Sequence, residues 1–109
     1  MASFNAQLPT IFAALSDPTR LAVVERLVRG PASVSELAKP FDMAGPSFLK
    51  HLKVLEDAGL AHSEKKGRVR TVTLKPDTLY WVEEWVLQHR QLWEHRLDDL
   101  GIFLAKGGN

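Results

Sequence analysis

The sequence predicts a mainly helical domain with one small β-hairpin, on three observations. The first is a short cationic helix, GPSFLKHLKVLEDA, beginning at Gly45 and closed by Gly59. The second follows at once: AHSEKKGRVRTVT holds two strand-like runs around Lys66-Gly67-Arg68, with basic residues on both sides of the turn. The third is a further short helix just upstream, opened by the capping box Ser33-Val34-Ser35-Glu36 and separated from the cationic one by Asp42-Met43-Ala44. Two helices joined by a short turn and followed by a basic hairpin outline a winged helix-turn-helix. In that arrangement one helix enters the major groove of DNA while the hairpin grips the neighbouring backbone. The expected order is four helices, two strands and a last helix, in one domain spanning 1–109.

Each element has a local reason. Phe4, Leu8, Ile11, Phe12 and Leu15 fall at helical spacing and form one apolar stripe over about 5–16. Pro9 suits a first turn, so the helix proper is expected to begin near it, with Phe4 on a looser arm. Asp17-Pro18 starts the second helix, with Asp17 as N-cap and Pro18 at the first helical position. Leu21, Val24, Leu27 and Val28 are its buried face, and Gly30-Pro31 ends it.

The helix-turn-helix is expected over about 33–58. Its first helix, about 33–41, uses Val34, Leu37 and Phe41 as anchors, and Pro40 limits it to about two turns. Its second helix, about 45–58, buries Phe48, Leu52 and Leu55. The wing is expected at about 60–74, with strands over about 60–64 and 69–74. From about 78 to 106, Val82, Val86, Trp93, Leu97, Leu100 and Leu104 repeat at three-four spacing. Such a helix is about 35–40 Å long, more than a small domain needs for its own core. Gly101 is a candidate interruption. The two apolar stripes are therefore assigned to dimerisation, through Phe4, Leu8, Ile11, Phe12, Leu15, Val86, Trp93, Leu97 and Leu100. Left in water, they would be a larger apolar patch than soluble monomers tolerate.

The charge distribution agrees with this layout. The net charge of +1 hides an asymmetry. Residues 1–42 are balanced, residues 43–75 carry +4 and residues 76–109 carry −3. The positive charge sits on the cationic helix and hairpin, which is the local field a polyanion needs. The absence of cysteine removes disulfides and thiolate metal sites, and fits a cytoplasmic location. The opening MASFNAQLPTIF has no basic start followed by an apolar stretch, so no secretory signal is expected. No apolar run approaches membrane-spanning length, and no membrane partner is expected.

The sequence resembles the ArsR family of bacterial winged-helix regulators. The resemblance is carried by Ala14-Leu15-Ser16-Asp17-Pro18-Thr19-Arg20, then Ser35-Glu36-Leu37-Ala38, then Lys50-His51-Leu52-Lys53-Val54-Leu55-Glu56-Asp57-Ala58-Gly59-Leu60, and Gly67-Arg68 in the wing. It implies a dimeric repressor on a palindromic operator, with first and last helices at the dimer interface. Two departures stand out. Many members start the recognition helix with a Ser-Gln or Ser-Leu pair followed by Pro and another hydroxyl. Here the stretch is Ala44-Gly45-Pro46-Ser47-Phe48-Leu49. Metal-sensing members carry a cysteine motif in the helix occupied here by Glu36-Leu37-Ala38-Lys39, or carboxylate and histidine ligands on the C-terminal helix. The nearest equivalents, His89, His95 and Asp98 with Glu94 and Asp99, do not match that spacing, so neither metal nor other cofactor is expected.

The DNA-contacting set is assigned to Thr19, Arg20, Ser47, Lys50, His51, Lys53, Lys66, Arg68 and Arg70. Lysine reaches guanine O6 and N7, histidine donates to phosphate, and a hairpin arginine presses on phosphates or probes the minor groove. Arg20 serves equally well as a structural partner for a carboxylate such as Glu56 or Asp57. Trp81, Trp85 and Trp93 at helical spacing read as packing rather than a ligand box. Ser47 and His51 lie one turn apart on a surface helix with no oxyanion donor, so no catalytic constellation is expected. The rival function is a winged-helix interaction module without DNA binding. Such a module usually loses the charge that this recognition helix and wing retain.

Overall fold

A computed structural model describes the backbone of residues 2–107, and the side chains of 6–97 and position 101. The elements are α1 (Ala2–Leu15), α2 (Pro18–Leu27), β1 (Ala32–Ser33), α3 (Val34–Ala38), α4 (Gly45–Asp57), β2 (Ala61–Lys66), β3 (Val69–Leu74) and α5 (Pro76–Gly107). The described chain up to Leu79 forms one compact unit, and from Tyr80 onward a second.

In the first unit α2 is the hub, packing on α1, α4 and β3. Asp17 caps its start, accepting the Arg20 backbone N–H on Oδ2 at 3.1 Å. Val23, Val24 and Leu27 of α2 are buried with Phe48, Leu52 and Leu55 of α4, whereas Leu21 and Val28, expected on that buried face, are exposed. Ser33 makes the expected capping box. Its Oγ accepts the Glu36 N–H, and its own N–H donates to Glu36 Oε1, both at 3.1 Å. Ala44 begins α4 in extended backbone without a side-chain cap.

Several expectations need correction. Helix α1 begins at Ala2 and runs through Pro9. A proline there loses its own bond to the carbonyl four residues back and crowds that carbonyl, and the flanking turns carry the helix across. Helix α3 stops at Ala38 rather than near Phe41. Phe41 still anchors the pair, because its ring stacks on Phe48 with centroids 5.8 Å apart. Gly101 does not interrupt α5.

The sheet also has a third strand that the sequence does not signal. Ala32 and Ser33 form β1, which pairs antiparallel with β3 through Ala32↔Val72 and Ser33↔Thr71. The hairpin is thus part of a three-stranded sheet in the order β1-β3-β2. Two residues carry too little pattern to be read as a strand. Strand β2 runs to Lys66, past the expected Glu64.

Two glycines do specific work. Gly67 has φ +63° and opens the two-residue loop Gly67-Arg68 between Lys66 and Val69. A positive φ at the first loop residue only is the type II′ pattern, whose twist matches a hairpin. Gly59 ends α4 at φ +77°, and its carbonyl accepts a hydrogen bond from the buried Thr78 hydroxyl.

The dimerisation stripe also changes. Leu8 and Ile11 are buried within the single chain, Leu15 is half-buried, and Phe12 is exposed. Leu8 and Ile11 are therefore core residues rather than free interface. Along α5, Val86, Leu87, Leu92, Trp93 and Leu97 are exposed, while Trp81 and Trp85 are half-buried. The side chains of Phe4, Leu100 and Leu104 lie outside the described residues.

Leu55 is fully buried, so Leu55→Ala should lower unfolding stability by about 2–5 kcal/mol in denaturant titration. Ala44→Ser should act in the opposite sense. It supplies the missing cap on backbone already extended, and should raise stability by about 1 kcal/mol.

Candidate nucleic-acid interface

Helix α4 is amphipathic because its apolar residues recur at Phe48, Leu52 and Leu55. With that face buried, Ser47, Leu49, Lys50, Lys53 and Val54 are left exposed. Ser47, Lys50 and Val54 fall three and four residues apart, which puts them on one outer strip. Leu49 is 51% exposed, so this face is part apolar and suits contact with a thymine methyl as well as polar edges. Lys53 pairs with Asp57 one turn on, Nζ to Oδ2 at 3.4 Å, with both side chains mostly exposed. Such a pair is weak and yields readily to a phosphate.

His51, which the sequence places on a surface helix, is only partly exposed. Its ring is half-buried between α4 and the start of α2. His51 Nδ1 lies 3.2 Å from an Arg20 Nη1 and 3.7 Å from Asp17 Oδ2. Arg20 also departs from expectation. Its partner is neither Glu56 nor Asp57 but the C-terminal end of α1. Nε donates to the Ala14 carbonyl at 2.7 Å and Nη2 to the Ala13 carbonyl at 3.3 Å. A helix C-terminus leaves its last carbonyls unpaired and carries partial negative charge, so a guanidinium suits it. Thr19, beside it, is half-buried. The sequence marks Asp17 only as a cap, and its place beside His51 depends on tertiary packing that sequence spacing does not encode.

The wing is built from β2 and β3 in strict register. One face carries Ala61↔Leu74 and Ser63↔Val72 at the core end, then Lys65↔Arg70 beyond it. Two cations directly opposite destabilise a sheet. A hairpin that tolerates this is suited to a strong negative partner. Lys66, Arg68 and Arg70 are all exposed. Arg70 is not wholly free: its Nη1 donates to Ser63 Oγ at 3.1 Å, and that hydroxyl donates to Glu56 Oε1 at 2.8 Å. Arg70 thereby ties the wing to α4. The sequence offers Glu56 only as a partner for Arg20 and gives Ser63 no signal, because their meeting needs the register of β2 against α4. Ser33, Val34 and Ser35 border a shallow surface depression with Arg68, Val69 and Arg70, which brings the start of α3 beside the wing.

Two carboxylates in this body sit below their ordinary range. Asp17 is held below the usual carboxylate range, first because the Arg20 backbone N–H bonds its charged form, with His51 and the Arg20 charge adding to the effect. Glu36 is lowered likewise, first through the Ser33 backbone N–H and then the Ser33 hydroxyl. Among the described residues, no three His, Cys, Asp or Glu side chains gather in a group able to hold a metal ion. The side chain of Asp98 lies outside the described residues. No helix among the described residues is long and apolar enough to cross a membrane.

A helix pair on an apolar core, a cationic outward face and a basic hairpin beside it define a winged helix-turn-helix DNA-binding protein. The comparisons with known proteins agree. A family model described as a helix-turn-helix domain matches residues 15–64. The chain is 44% identical over 66 residues to the HTH-type transcriptional regulator Rv2034 of Mycobacterium tuberculosis, covering 61% of this chain and 62% of that one. It is 30% identical over 77 residues to the transcriptional repressor SdpR of Bacillus subtilis, covering 71% of this chain and 86% of the relative. A crystal structure of an ArsR-family transcriptional regulator superposes with a TM-score of 0.78 at 56% identity, covering 83% of this chain and 93% of that one. This chain belongs to the ArsR family and is a DNA-binding transcriptional regulator.

The lowered carboxylates set an acid limit. A carboxyl whose folded pKa is depressed contributes stability above its unfolded value, and the contribution is lost as pH falls through the folded value. Stability should be level above about pH 5 and decline as Asp17 and Glu36 take up protons. Asp17→Asn should flatten the decline, as read from urea midpoints between pH 6 and 3. An unchanged profile in the variant would remove Asp17 from the account.

Proposed function

We propose that this protein is a homodimeric repressor that binds a palindromic operator in the cytoplasm and carries no enzymatic activity. The observation that carries this is the coincidence of cation and architecture: the local charge of +4 falls on α4 and the wing. Ser47, Lys50 and His51 meet base edges or nearby phosphates in the major groove, and Lys53 and Thr19 meet the backbone. Lys66, Arg68 and Arg70 hold the flanking phosphates from the wing. Two copies related by a two-fold axis place their recognition helices about one helical turn apart on one face of the duplex.

The support for a second copy is the apolar exposure of α5. Trp93 is 60% exposed, Leu92 67% and Leu97 47%, all within two turns of one helix. A patch of that kind is uncommon on a soluble monomer. Phe12 adds the one exposed large apolar residue among the described side chains of α1. A winged-helix module without DNA binding is the weaker reading, because it leaves the opposed cations of the wing without a purpose.

Operator affinity should fall steeply with salt, since each neutralised phosphate releases counterions. Arg68→Ala should weaken binding to all sequences and reduce the salt slope by about 1, as measured by fluorescence anisotropy across a salt series. Unchanged affinity and slope would place Arg68 outside the interface. Ser47→Ala or Lys50→Ala should instead change the ranking of operator variants, by about 1–3 kcal/mol where a base contact is lost.

Dimerisation has its own check. Leu97→Glu should shift the protein towards monomer in sedimentation and abolish binding to the full palindrome. A folded monomeric variant that still bound the palindrome at full affinity would overturn the dimer.

A further inference from the structure

Arginine has five N–H donors and no acceptor. The 3.2 Å contact between Arg20 Nη1 and His51 Nδ1 is therefore a hydrogen bond only if Nδ1 is the acceptor. That requirement leaves the neutral ring with its proton on Nε2. The alternative, an Nδ1–H directed at Asp17 Oδ2, has a separation of 3.7 Å, too long for a hydrogen bond, and would set a ring N–H against the guanidinium. Asp17 Oδ2 is already engaged as the cap of α2 by the Arg20 N–H.

Among the described residues, Nε2 has no partner. Both contacts that His51 makes go to Nδ1. Among the described residues, no buried side-chain nitrogen or oxygen lacks a hydrogen-bond partner, so Nε2 is reached by solvent. His51 also lies one turn after Ser47 on α4.

We propose that Arg20 is a positioning residue rather than a DNA contact: anchored on the Ala13 and Ala14 carbonyls, it holds His51 in the Nε2–H tautomer, so that the recognition helix presents a fixed hydrogen-bond donor to a phosphate or base acceptor. The hydrogen bond on one ring nitrogen decides what the other can do. The Arg20 anchor is itself built. Three of its nitrogens are bonded, two of them to the end of α1. The clamp thereby couples the donor on α4 to the register of α1. This inference rests on the DNA-binding reading for the use of the donor, but not for its orientation.

Ring-nitrogen NMR on the free wild-type protein tests the orientation, at a pH where the ring is neutral. The expected result is an unprotonated Nδ1 and a protonated Nε2 on His51. Arg20→Met should shift the ring towards Nδ1–H, drawn to Asp17. A wild-type ring protonated on Nδ1 overturns the inference without need of any variant. So does a folded Arg20→Met protein whose tautomer is unchanged.

Two further variants test the use of the donor. His51→Gln places an amide near Nε2 and should keep most operator affinity. His51→Asn places its amide near Nδ1 and should lose roughly tenfold, the equivalent of one hydrogen bond. Equal losses in the two overturn the donor role. Failure of the wild type to bind any operator, with the Nε2–H tautomer intact, would instead count against the DNA-binding reading and against the use assigned to the donor.

Discussion

Phe48, Leu52 and Leu55 are 1%, 3% and 0% exposed, and their burial against the hub of the first unit is the constraint from which the proposed DNA-facing surface follows. A helix of thirteen residues is marginal alone in water, and more so with an uncapped start and a glycine at its first position. Tertiary burial of one face supplies what propensity does not. Once that face is fixed, the outward direction of Ser47, Lys50 and Val54 is no longer free, because helical periodicity determines it. The stacking of Phe41 on Phe48 carries the same constraint back across the turn to the helix before.

Electrostatics here work against the isolated fold and in favour of a complex. Lys65 opposite Arg70 is a repulsive pair, partly relieved by the chain from Arg70 through Ser63 to Glu56. The same hydroxyl orients the arginine and ties the wing to the recognition helix. At the middle of α4, Arg20 contacts His51 while it neutralises the carbonyl end of α1. Cations that look alike in the sequence are thus divided between holding the framework and facing outward.

Much of this was legible in the chain. Asp17-Pro18, the Ser33–Glu36 box, Gly59 and Gly67 are local signals whose physics acts within a few residues, and each stands where its spacing implied. What escaped depended on distant partners. Strand β1 exists because β3 supplies its hydrogen bonds forty residues later, not because Ala32-Ser33 has strand character. The half-burial of His51 and the anchorage of Arg20 depend on how α1, α2 and α4 pack. Leu8 and Ile11 were assigned to an interface because apolar spacing identifies a buried face without saying whether one chain or two does the burying.

The short β1 strand has a mechanical consequence. It leads without a linker into α3, while its partner β3 is the inner strand of the wing. The base of the hairpin is thereby fastened to the first residue of the helix pair, and Ser63–Glu56 fastens it again from the other side. A hairpin hung on a single loop would swing and adjust to grooves of different width. One pinned at two points behaves as a calliper with a set opening. On the proposed reading, in which the wing holds phosphates, such a reader measures the duplex as well as its bases and disfavours stretches whose backbone does not bring a phosphate to the required distance.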